Sequence, residues 1–416
     1  MAIRKEAIVF VYFGVEPVPA GRLLTIIDGR DIRSEFAYGT KYLEREDAIP
    51  VDPVMLPLPV RGGRNVFTTP PDFGVFNGIR DAGPDRWGRF LMDKRFPAVT
   101  LDDFDYIMAA GADRSGGLGF GLSPDSGPGV WDLREFRSHP ERILDLDEVI
   151  RGIEAQEDST DPNFLALLEY GSSMGGARPK GTVTWGEEIC LAKFTVKGDA
   201  YDIARVEYAT MLMARDCGID IPEVDVAEVG GKSVYLIRRF DRKRTPEGVE
   251  RHHFCSALTA TGMHEADYGS YSYDEIAMAI ARFSDEPDRD REELFRRLAF
   301  NVFVTNSDDH MRNHGFLHVG NGRWRLSPAY DIVPVPQTGE TYSQALKFGR
   351  FGKESSIANL EEAARIFGVR KGTSSEILDR VREVVRDWQS RFSTAGVTGN
   401  DIAKLSGCFR DELLRR

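Results

Sequence analysis

Cysteine is scarce in this sequence. Four cysteines occur in 416 residues, and none lies at a CxxC or other metal-ligand spacing: Cys190, Cys217, Cys255 and Cys408. The sequence therefore excludes a disulfide framework and a zinc centre built on cysteine. Isolated cysteines of this kind are typical of reduced thiols in the core of a cytoplasmic protein.

The sequence also lacks a net positive charge and long apolar runs. The 54 Lys and Arg residues are outnumbered by 66 Asp and Glu, which gives a formal net charge of −12. Affinity for the phosphate backbone of nucleic acids comes from Lys and Arg. DNA contact is therefore expected only indirectly, through a partner. Apolar runs such as residues 8–13 are far shorter than the about 20 residues of a membrane span, so neither a signal peptide nor a membrane location is expected.

The length of the chain is sufficient for two or three domains. Residues 1–125 have β-rich patterning at 7–13, 20–24 and 32–38, followed by a helical segment at 86–96. Turn-forming residues at 125–129 indicate a boundary. We expect an N-terminal subdomain at 1–125, a second part at 130–240 and a mainly helical part at 241–416.

The second part contains a glycine-rich segment at residues 170–181, whose backbone N–H groups are able to surround an anion. Neither a Walker pattern nor GxGxxG is present, and Gly-Gly turns are common in any protein. The strand predicted at 189–194 places Lys193 among apolar residues. A lysine in a strand is most often a surface residue, and Glu207 on the following amphipathic helix (201–217) is either solvated or directed inward.

Residues 300–336 are the most informative part of the chain. An apolar run ends abruptly at the polar sequence NSDDHMRN, and a hairpin is predicted from the strands at 315–319 and 323–326 around the turn Gly320-Asn321-Gly322. The hairpin brings Asp331 back toward the polar loop. Oxygen atoms of Asp308, Asn313 and Asp331 are then able to converge on a hard divalent cation such as Mg²⁺.

Two other interpretations of this segment stay open. Asn, Asp and Gly between apolar runs are ordinary turn chemistry, which predicts a solvated loop. The second interpretation is a metal-dependent hydrolase, because His310 and His314 have the spacing of two zinc ligands on one helix. Gly315 and the strand after it argue against a helix that continues through His314. An Asp-x-x-x-x-Asn loop followed by a metal-binding Asp is the arrangement of protein kinases.

With these residues together, the chain resembles the HipA-family serine/threonine kinases, the toxin halves of bacterial toxin–antitoxin pairs. The resemblance covers nearly the whole chain and is carried by four motifs in order: SMGGARPK at 173–180, RFDR at 239–242, DDHMRN at 308–313 and YDI at 330–332. It implies an α+β, two-lobed protein-kinase-like fold with an N-terminal β-rich subdomain and a mainly α-helical C-terminal lobe.

The resemblance also implies roles for individual residues. Asp308 would be the catalytic base, Asn313 and Asp331 would bind Mg²⁺, and Ser173 would be an autophosphorylation site that silences the kinase. ATP would be bound by Gly175, Gly176, Ala177, Arg178, Pro179, Lys180, Lys193, Arg238, Arg239, Phe240, His310, Asn313, Tyr330 and Asp331. Asp309 stands where a small residue is usual in the family, and the five-residue spacing to Asn313 favours Asp308 over Asp309 as the base.

The resemblance implies an ATP- and Mg²⁺-dependent protein kinase whose partners are a protein substrate and a small DNA-binding antitoxin. Some family members modify aminoacyl-tRNA synthetases, but no residue of this sequence identifies the substrate. A different class of function is an inactive kinase-like module that binds an antitoxin and acts as a corepressor. The joint presence of Lys193, Asp308, Asn313 and Asp331 argues against it, because a scaffold has no need of all four.

Overall fold

The computed structural model describes residues 2–60, 62–111, 114–132, 137–139, 144–155, 161–162, 179–195, 198–337 and 342–414. Its strands are, in chain order, β1 Ile3–Phe13, β2 Glu16–Asp28, β3 Asp31–Tyr38, β4 Val66–Thr68, β5 Leu118–Gly121, β6 Val130–Asp132, β7 Arg137–His139, β8 Leu144–Asp145, β9 Lys180–Trp185, β10 Glu188–Phe194, β11 Val224–Val229, β12 Lys232–Arg238, β13 Arg242–Thr245, β14 Gly248–Arg251, β15 Phe254–Ser256, β16 Gly315–Gly320 and β17 Arg323–Leu326.

The helices of the described residues are α1 Thr40–Leu43, α2 Asn77–Asp81, α3 Arg86–Arg95, α4 Asp103–Ala109, α5 Leu146–Glu154, α6 Ile203–Asp216, α7 Ala257–Thr261, α8 Tyr273–Phe283, α9 Pro287–Phe303, α10 Ile357–Phe367, α11 Lys371–Arg386, α12 Trp388–Thr394, α13 Gly399–Leu405 and α14 Asp411–Leu414. Within this part of the chain, no helix is both long and apolar enough to cross a membrane.

The chain divides into two units. The first comprises Met1–Lys193, Arg238–Cys255 and Leu317–Gly322, and the second comprises Phe194–Ile237, Ser256–Phe316 and Arg323–Arg416. The three-part division expected from the sequence, at 1–125, 130–240 and 241–416, remains a prediction.

The first unit contains an antiparallel sheet with strand order β4-β3-β2-β1-β5. Alternating residues of its strands form one core, in which Val9, Leu23 and Phe36 are fully buried. Only glycine fits at position 21, since a Cβ there would lie 2.4 Å from the carbonyl oxygen of Ala37. The β-rich character expected for the N-terminal part is confirmed.

A second group of strands in the first unit carries two lysines of the predicted site. β9 pairs antiparallel with β10, and β8 pairs parallel with β9. Helix α5 packs closely on β9, because a Cβ at Gly181 would lie 2.9 Å from Cγ1 of Val149. In the β9–β10 register Lys180 is directly opposite Lys193. Opposed residues of antiparallel strands project from the same face of the sheet, so the two lysines share one face.

The second unit is mainly helical, and its strands include the hairpin of β11 and β12 as well as β17. Its long helix α9 begins with Pro287 in the first turn, where proline is tolerated, and its second half is almost entirely buried. An aromatic cluster closes the C-terminal part: Trp388 stacks on Phe409 at 3.9 Å between ring centroids, and Phe392 meets both rings edge-on. Helix α11 ends at Arg386, and α12 begins at Trp388 after the shared cap residue Asp387.

Two histidines of the first unit, the buried His253 and the half-buried His318, make its stability sensitive to acid. The backbone N–H of His318 donates to the carbonyl oxygen of His253 at 2.9 Å, and Nε2 of His253 lies 3.0 Å from the carbonyl oxygen of Pro50. Burial lowers the pKa of each imidazole from 6.5 to about 4, and for His253 the proximity of His318 adds to the effect. Both rings therefore stay neutral in the folded chain at pH values where the unfolded chain is protonated.

We expect the free energy of unfolding to fall as the pH drops from about 6.5 to about 4. Each proton bound by the unfolded chain alone contributes a slope of about 1.4 kcal/mol per pH unit. Urea unfolding at pH 7, 6 and 5 measures this slope. The substitution His318→Gln should reduce the slope by up to the contribution of one proton, about 1.4 kcal/mol per pH unit. His252→Gln, at the exposed neighbouring position, is the control; an unchanged slope in His318→Gln would contradict the prediction.

Candidate active site

The loop that carries DDHMRN leaves helix α9 through a strained residue. Thr305 has φ = 55°, a left-handed conformation that is uncommon for a β-branched side chain. Its hydroxyl donates to the carbonyl oxygen of Cys408, and its own carbonyl oxygen accepts from the N–H of Val335 at 3.0 Å. These contacts with distant segments hold the strain in place and fix the direction in which the loop starts.

The two adjacent aspartates of the loop have opposite environments. Asp308 is exposed, whereas Asp309 is 3% exposed and accepts hydrogen bonds from the Tyr273 hydroxyl and from Nε2 of His314 at 3.1 Å. Burial acts to raise the pKa of Asp309, but the charge and hydrogen bond of His314 and the hydrogen bond of Tyr273 outweigh it, so the pKa is lowered. Asp308 is thus the accessible carboxylate of the two, and its role as the base stays a prediction.

Asn313 closes the loop on Asp308. Its backbone N–H donates to the carbonyl oxygen of His310 at 2.8 Å, and its side-chain Nδ2 donates to the carbonyl oxygen of Asp308 at 3.2 Å. With the amide nitrogen engaged in this way, the side-chain oxygen of Asn313 is the atom suited to bind a cation.

Asp331 enters the same site from the segment after the hairpin. The hairpin is present as predicted: β16 and β17 flank Asn321 with φ = 51°, and the N–H of Ser327 donates to the carbonyl oxygen of Gly315 at 2.8 Å. Tyr330 then anchors the chain through its hydroxyl, which donates to the carbonyl oxygen of Arg312 at 2.7 Å. Asp331 has φ = 62°, a second non-glycine residue in the left-handed region beside the site.

The negative charge of Asp331 affects the pKa of two neighbouring groups. The pKa of Asp308 is raised, first by burial and then by the charges of Asp331 and Asp309, while His310 opposes the shift. Buried Tyr235 also has a raised pKa, through burial first and then through the charges of Glu207 and Asp331. Glu207 is 2% exposed, so the solvated glutamate considered for the sequence is wrong.

This donor set fits Mg²⁺. Asn313 and Asp331 offer only oxygen atoms, and a cation beside Asp331 would relieve its repulsion with Asp308. In the described residues no group of three or more His, Cys, Asp or Glu has an arrangement suited to a metal ion. Mg²⁺ needs no such cage, because it is usually held by one or two carboxylates together with substrate phosphates.

The histidines do not form the helical pair that a zinc hydrolase would need. Residues 310–314 are turns and bends, and β16 begins at Gly315. His310 is exposed, whereas the ring of His314 is buried against Asp309 and meets Tyr273 edge-on at 5.2 Å between centroids. These positions remove the geometric basis of the hydrolase interpretation.

The lysines predicted to bind phosphate lie in the first unit. The ammonium of Lys180 is buried and lies 3.3 Å from Oδ2 of Asp85, the residue that caps the N-terminus of α3. The indole N–H of Trp87 donates to the carbonyl oxygen of Lys180 at 3.1 Å. Lys193 is half-buried on the same face. The ion pair with Asp85 was not expected from the sequence.

The RFDR motif forms a buried ionic network in the first unit. Arg239 makes a bidentate pair with Asp241, at 2.9 and 2.7 Å, and Arg242 lies 3.2 Å from the same carboxylate. Asp241 also accepts from the N–H of Gly116 at 2.7 Å, and Arg239 donates to the carbonyl oxygen of Arg114 at 2.8 Å. Burial opposes ionisation of Asp241, but the charges of Arg239 and Arg242 hold its pKa well below its usual range.

The side chain of Arg239 is therefore committed to Asp241, and its backbone N–H donates to the carbonyl oxygen of Ile189 at 2.9 Å. Arg238 is partly exposed and pairs with Glu188 at 2.9 Å, while Phe240 packs against Phe254 at 6.0 Å between ring centroids. The adenine contact predicted for residues 238–240 stays a prediction. An alternation of charged residues around one aromatic was the sequence signal for the network.

Of the predicted residues in the glycine-rich segment before Lys180, the structure describes Pro179, which is half-buried. The remaining predicted residues of the glycine-rich segment lie outside the described residues: Ser173, Gly175, Gly176, Ala177 and Arg178.

The α+β fold and the grouping of Asp308, Asn313 and Asp331 define the protein-kinase-like class. The chain belongs to the HipA-like family, since the model of the HipA-like C-terminal domain matches residues 172–388, more than half of the chain. This confirms the resemblance seen in the sequence. The chain is similar to the serine/threonine-protein kinase toxin HipA of Shewanella oneidensis, with 24% identity over 265 residues that cover 56% of each chain.

Other relatives support the same family. A Haemophilus influenzae protein provisionally named a kinase is 29% identical over 153 residues, which cover 35% of this chain and 45% of that protein. These matches span about half the length of the curated relatives. A solved complex of HipA, HipB and operator DNA from Shewanella oneidensis contains a chain with a TM-score of 0.68 at 18% identity, covering 98% of this chain and 96% of that one. The likeness confirms the expected fold.

Asp241 should be a major determinant of stability in the first unit. We expect Asp241→Asn to lower the free energy of unfolding by about 3–5 kcal/mol, because it leaves the buried guanidinium groups of Arg239 and Arg242 without their counter-charge. Arg238→Ala is the matched control, since it breaks an ion pair that is partly exposed and should cost less than about 1 kcal/mol. Denaturant unfolding measures both; similar small losses in the two variants would argue against the network.

Proposed function

We propose that this chain is an ATP- and Mg²⁺-dependent serine/threonine protein kinase of the toxin type. The observation that carries the proposal is the catalytic loop, in which an exposed Asp308 lies beside the oxygen donors Asn313 and Asp331 while the neighbouring Asp309 is buried. Family membership supports it, because one relative carries the name serine/threonine-protein kinase.

The chemistry requires alignment more than covalent participation of the protein. The carboxylate of Asp308 would orient the substrate hydroxyl and accept its proton. The hydroxyl oxygen forms the new bond to the γ-phosphorus, the bond to the bridging oxygen breaks, and ADP leaves. Asn313 and Asp331 would hold Mg²⁺, which supplies positive charge for the phosphates when it is bound.

In the first unit, Lys193 and Lys180 would contact phosphate oxygens. The backbone around residues 238–240 would meet the adenine, and His310 and Tyr330 of the second unit would border the nucleotide. These assignments come from the resemblance.

A small DNA-binding antitoxin is the proposed partner. The support is the fold shared with a chain from a complex of HipA, HipB and operator DNA. A net charge of −12 favours DNA contact through such a partner rather than directly. The substrate would be a protein hydroxyl, with an aminoacyl-tRNA synthetase as the first candidate from the resemblance.

Transfer of the γ-phosphate tests the activity. Wild-type protein with Mg²⁺ and radiolabelled ATP should label itself or a protein substrate, and Asp308→Asn should reduce the rate by about 10²–10⁴-fold because the base and its orientation are lost. Nucleotide binding by Asp308→Asn should persist. Asp331→Ala should instead lose Mg²⁺-dependent nucleotide binding, which separates the two roles. Absence of transfer by the wild type, both in the presence of the antitoxin and after its removal, would refute the proposal.

We further propose that the kinase silences itself through Ser173. A phosphate there adds about −1.5 to −2 charge beside a segment proposed to hold the phosphates of ATP, and like-charge repulsion would oppose nucleotide binding. The neighbouring glycines would let the segment move at small steric cost. The alternative is that Ser172 and Ser173 only hydrogen-bond a local turn.

Mass spectrometry after incubation with Mg²⁺ and ATP distinguishes these possibilities. Phosphate at Ser173 that is absent from Asp308→Asn, together with a decline in activity that Ser173→Ala prevents, is the expected result. Phosphate confined to other serines in a fully active enzyme would contradict self-inactivation.

A further inference from the structure

Asp309 has no place in the chemistry proposed above, yet it is among the most thoroughly buried carboxylates of the second unit. It is 3% exposed and accepts two hydrogen bonds on the same oxygen, Oδ2, from the Tyr273 hydroxyl and from Nε2 of His314 at 3.1 Å. An ionised carboxylate has only acceptors, so both neighbours must donate and each is fixed in orientation. Burial of such a charge is tolerated because it is paired and hydrogen-bonded.

The hydroxyl of Tyr273 connects Asp309 to the start of the loop. It accepts from Nδ2 of Asn301 at 3.0 Å, and Oδ1 of Asn301 in turn accepts from Nδ2 of Asn306 at 3.1 Å. Asn301 lies in helix α9, and Asn306 directly follows the strained Thr305. The loop is therefore held from both sides by one continuous chain of hydrogen bonds.

Both donors to Asp309 are themselves anchored. Tyr273 begins helix α8, its backbone N–H donates to the carbonyl oxygen of Lys347 at 2.9 Å, and its ring meets Phe348 edge-on. The carbonyl oxygen of His314 accepts from the N–H of Ala257 at 2.8 Å. Among the described residues, Nδ1 of His314 has no hydrogen-bond partner. The orientation of the imidazole thus depends on Asp309.

We infer that Asp309, His314 and Tyr273 are positioning residues, which lock the loop so that Asp308 is presented to the substrate hydroxyl. The inference rests on the proposed function. Neighbouring side chains in an irregular loop leave the backbone in different directions, so the bonds that hold Asp309 inward also hold Asp308 outward. Without the anchor, rotation of the loop by one residue would exchange the two carboxylates and displace the base.

Misplacement of a reacting group by about 1 Å costs on the order of 10²-fold in rate. We therefore expect Asp309→Ala to lower kcat by about 10–100-fold, while the dissociation constant for Mg²⁺·ATP changes less than about twofold. Asp309→Asn keeps an acceptor of the same shape and should restore most of kcat. Tyr273→Phe removes only the hydroxyl, retains the ring contacts, and should give a smaller loss of kcat.

Asp290→Asn is the control for a purely structural effect. Asp290 is equally buried in the same unit and accepts from Arg325 at 2.8 Å and from the N–H of Leu326 at 2.9 Å, without contact to the loop. It should lose thermal stability but keep kcat. Hydrogen exchange of residues 306–314 gives an independent readout: exchange should rise in Asp309→Ala and Tyr273→Phe but not in Asp290→Asn.

The outcomes separate this inference from the proposed function. If the wild type transfers phosphate and Asp309→Ala keeps its kcat, the positioning role is refuted while the kinase stands. A parallel loss of kcat and Mg²⁺·ATP binding in Asp309→Ala, or a loss of kcat in Asp290→Asn that matches it, would also overturn the role. If Asp309→Ala fails to fold, Tyr273→Phe decides by the same criteria. Absence of transfer by the wild type refutes the kinase and, with it, the inference.

Discussion

Polar segments of this protein depend on carboxylates that are buried yet remain charged. Removing a carboxylate from water costs several kcal/mol unless donors from the protein replace the lost hydration. In the second unit, Asp290 binds Arg325 and the backbone of Leu326, so it fixes strand β17 on helix α9. Asp309 does the same for the loop that carries DDHMRN, through Tyr273 and His314. Each of these groups joins segments that are distant in sequence, so each one converts a flexible polar stretch into a defined conformation.

The backbone is also strained at two residues of the candidate site, one where the loop begins and one in the segment after the hairpin. Thr305 and Asp331 both have positive φ, although neither is glycine, and such conformations cost of order 1–3 kcal/mol each. The cost is tolerated because surrounding contacts determine the conformation: the hydroxyl of Thr305 bonds to Cys408, and Tyr330 is tied to the carbonyl oxygen of Arg312. A glycine at position 305 would relieve the strain but would lose the hydroxyl bond to Cys408 and allow the loop to move.

Local patterns predicted much of this structure. The hairpin at 315–326 follows from a Gly-Asn-Gly turn between apolar runs. The apolar period of helix α6 left Glu207 either solvated or directed inward, and the structure shows it buried. The spacing to Asn313 favours Asp308 over Asp309 as the base, and this assignment stays a prediction. The different burial of the two aspartates was not available from the sequence. Burial of Asp309 depends on Tyr273, which lies 36 residues earlier in the chain. No periodicity or motif contains that contact.

Long-range pairing likewise decided the arrangement of the predicted phosphate lysines. The sequence shows Lys180 and Lys193 separated by 13 positions, whereas the strand register places them directly opposite each other on one face of the β9–β10 pair. Like charges in that arrangement repel and destabilise the strands. Asp85 offsets the repulsion by pairing with Lys180, and this pair also joins helix α3 to the end of the glycine-rich segment. Phosphate bound at this face would offset the repulsion between the two lysines, so it would stabilise the paired strands as well as serve the proposed reaction.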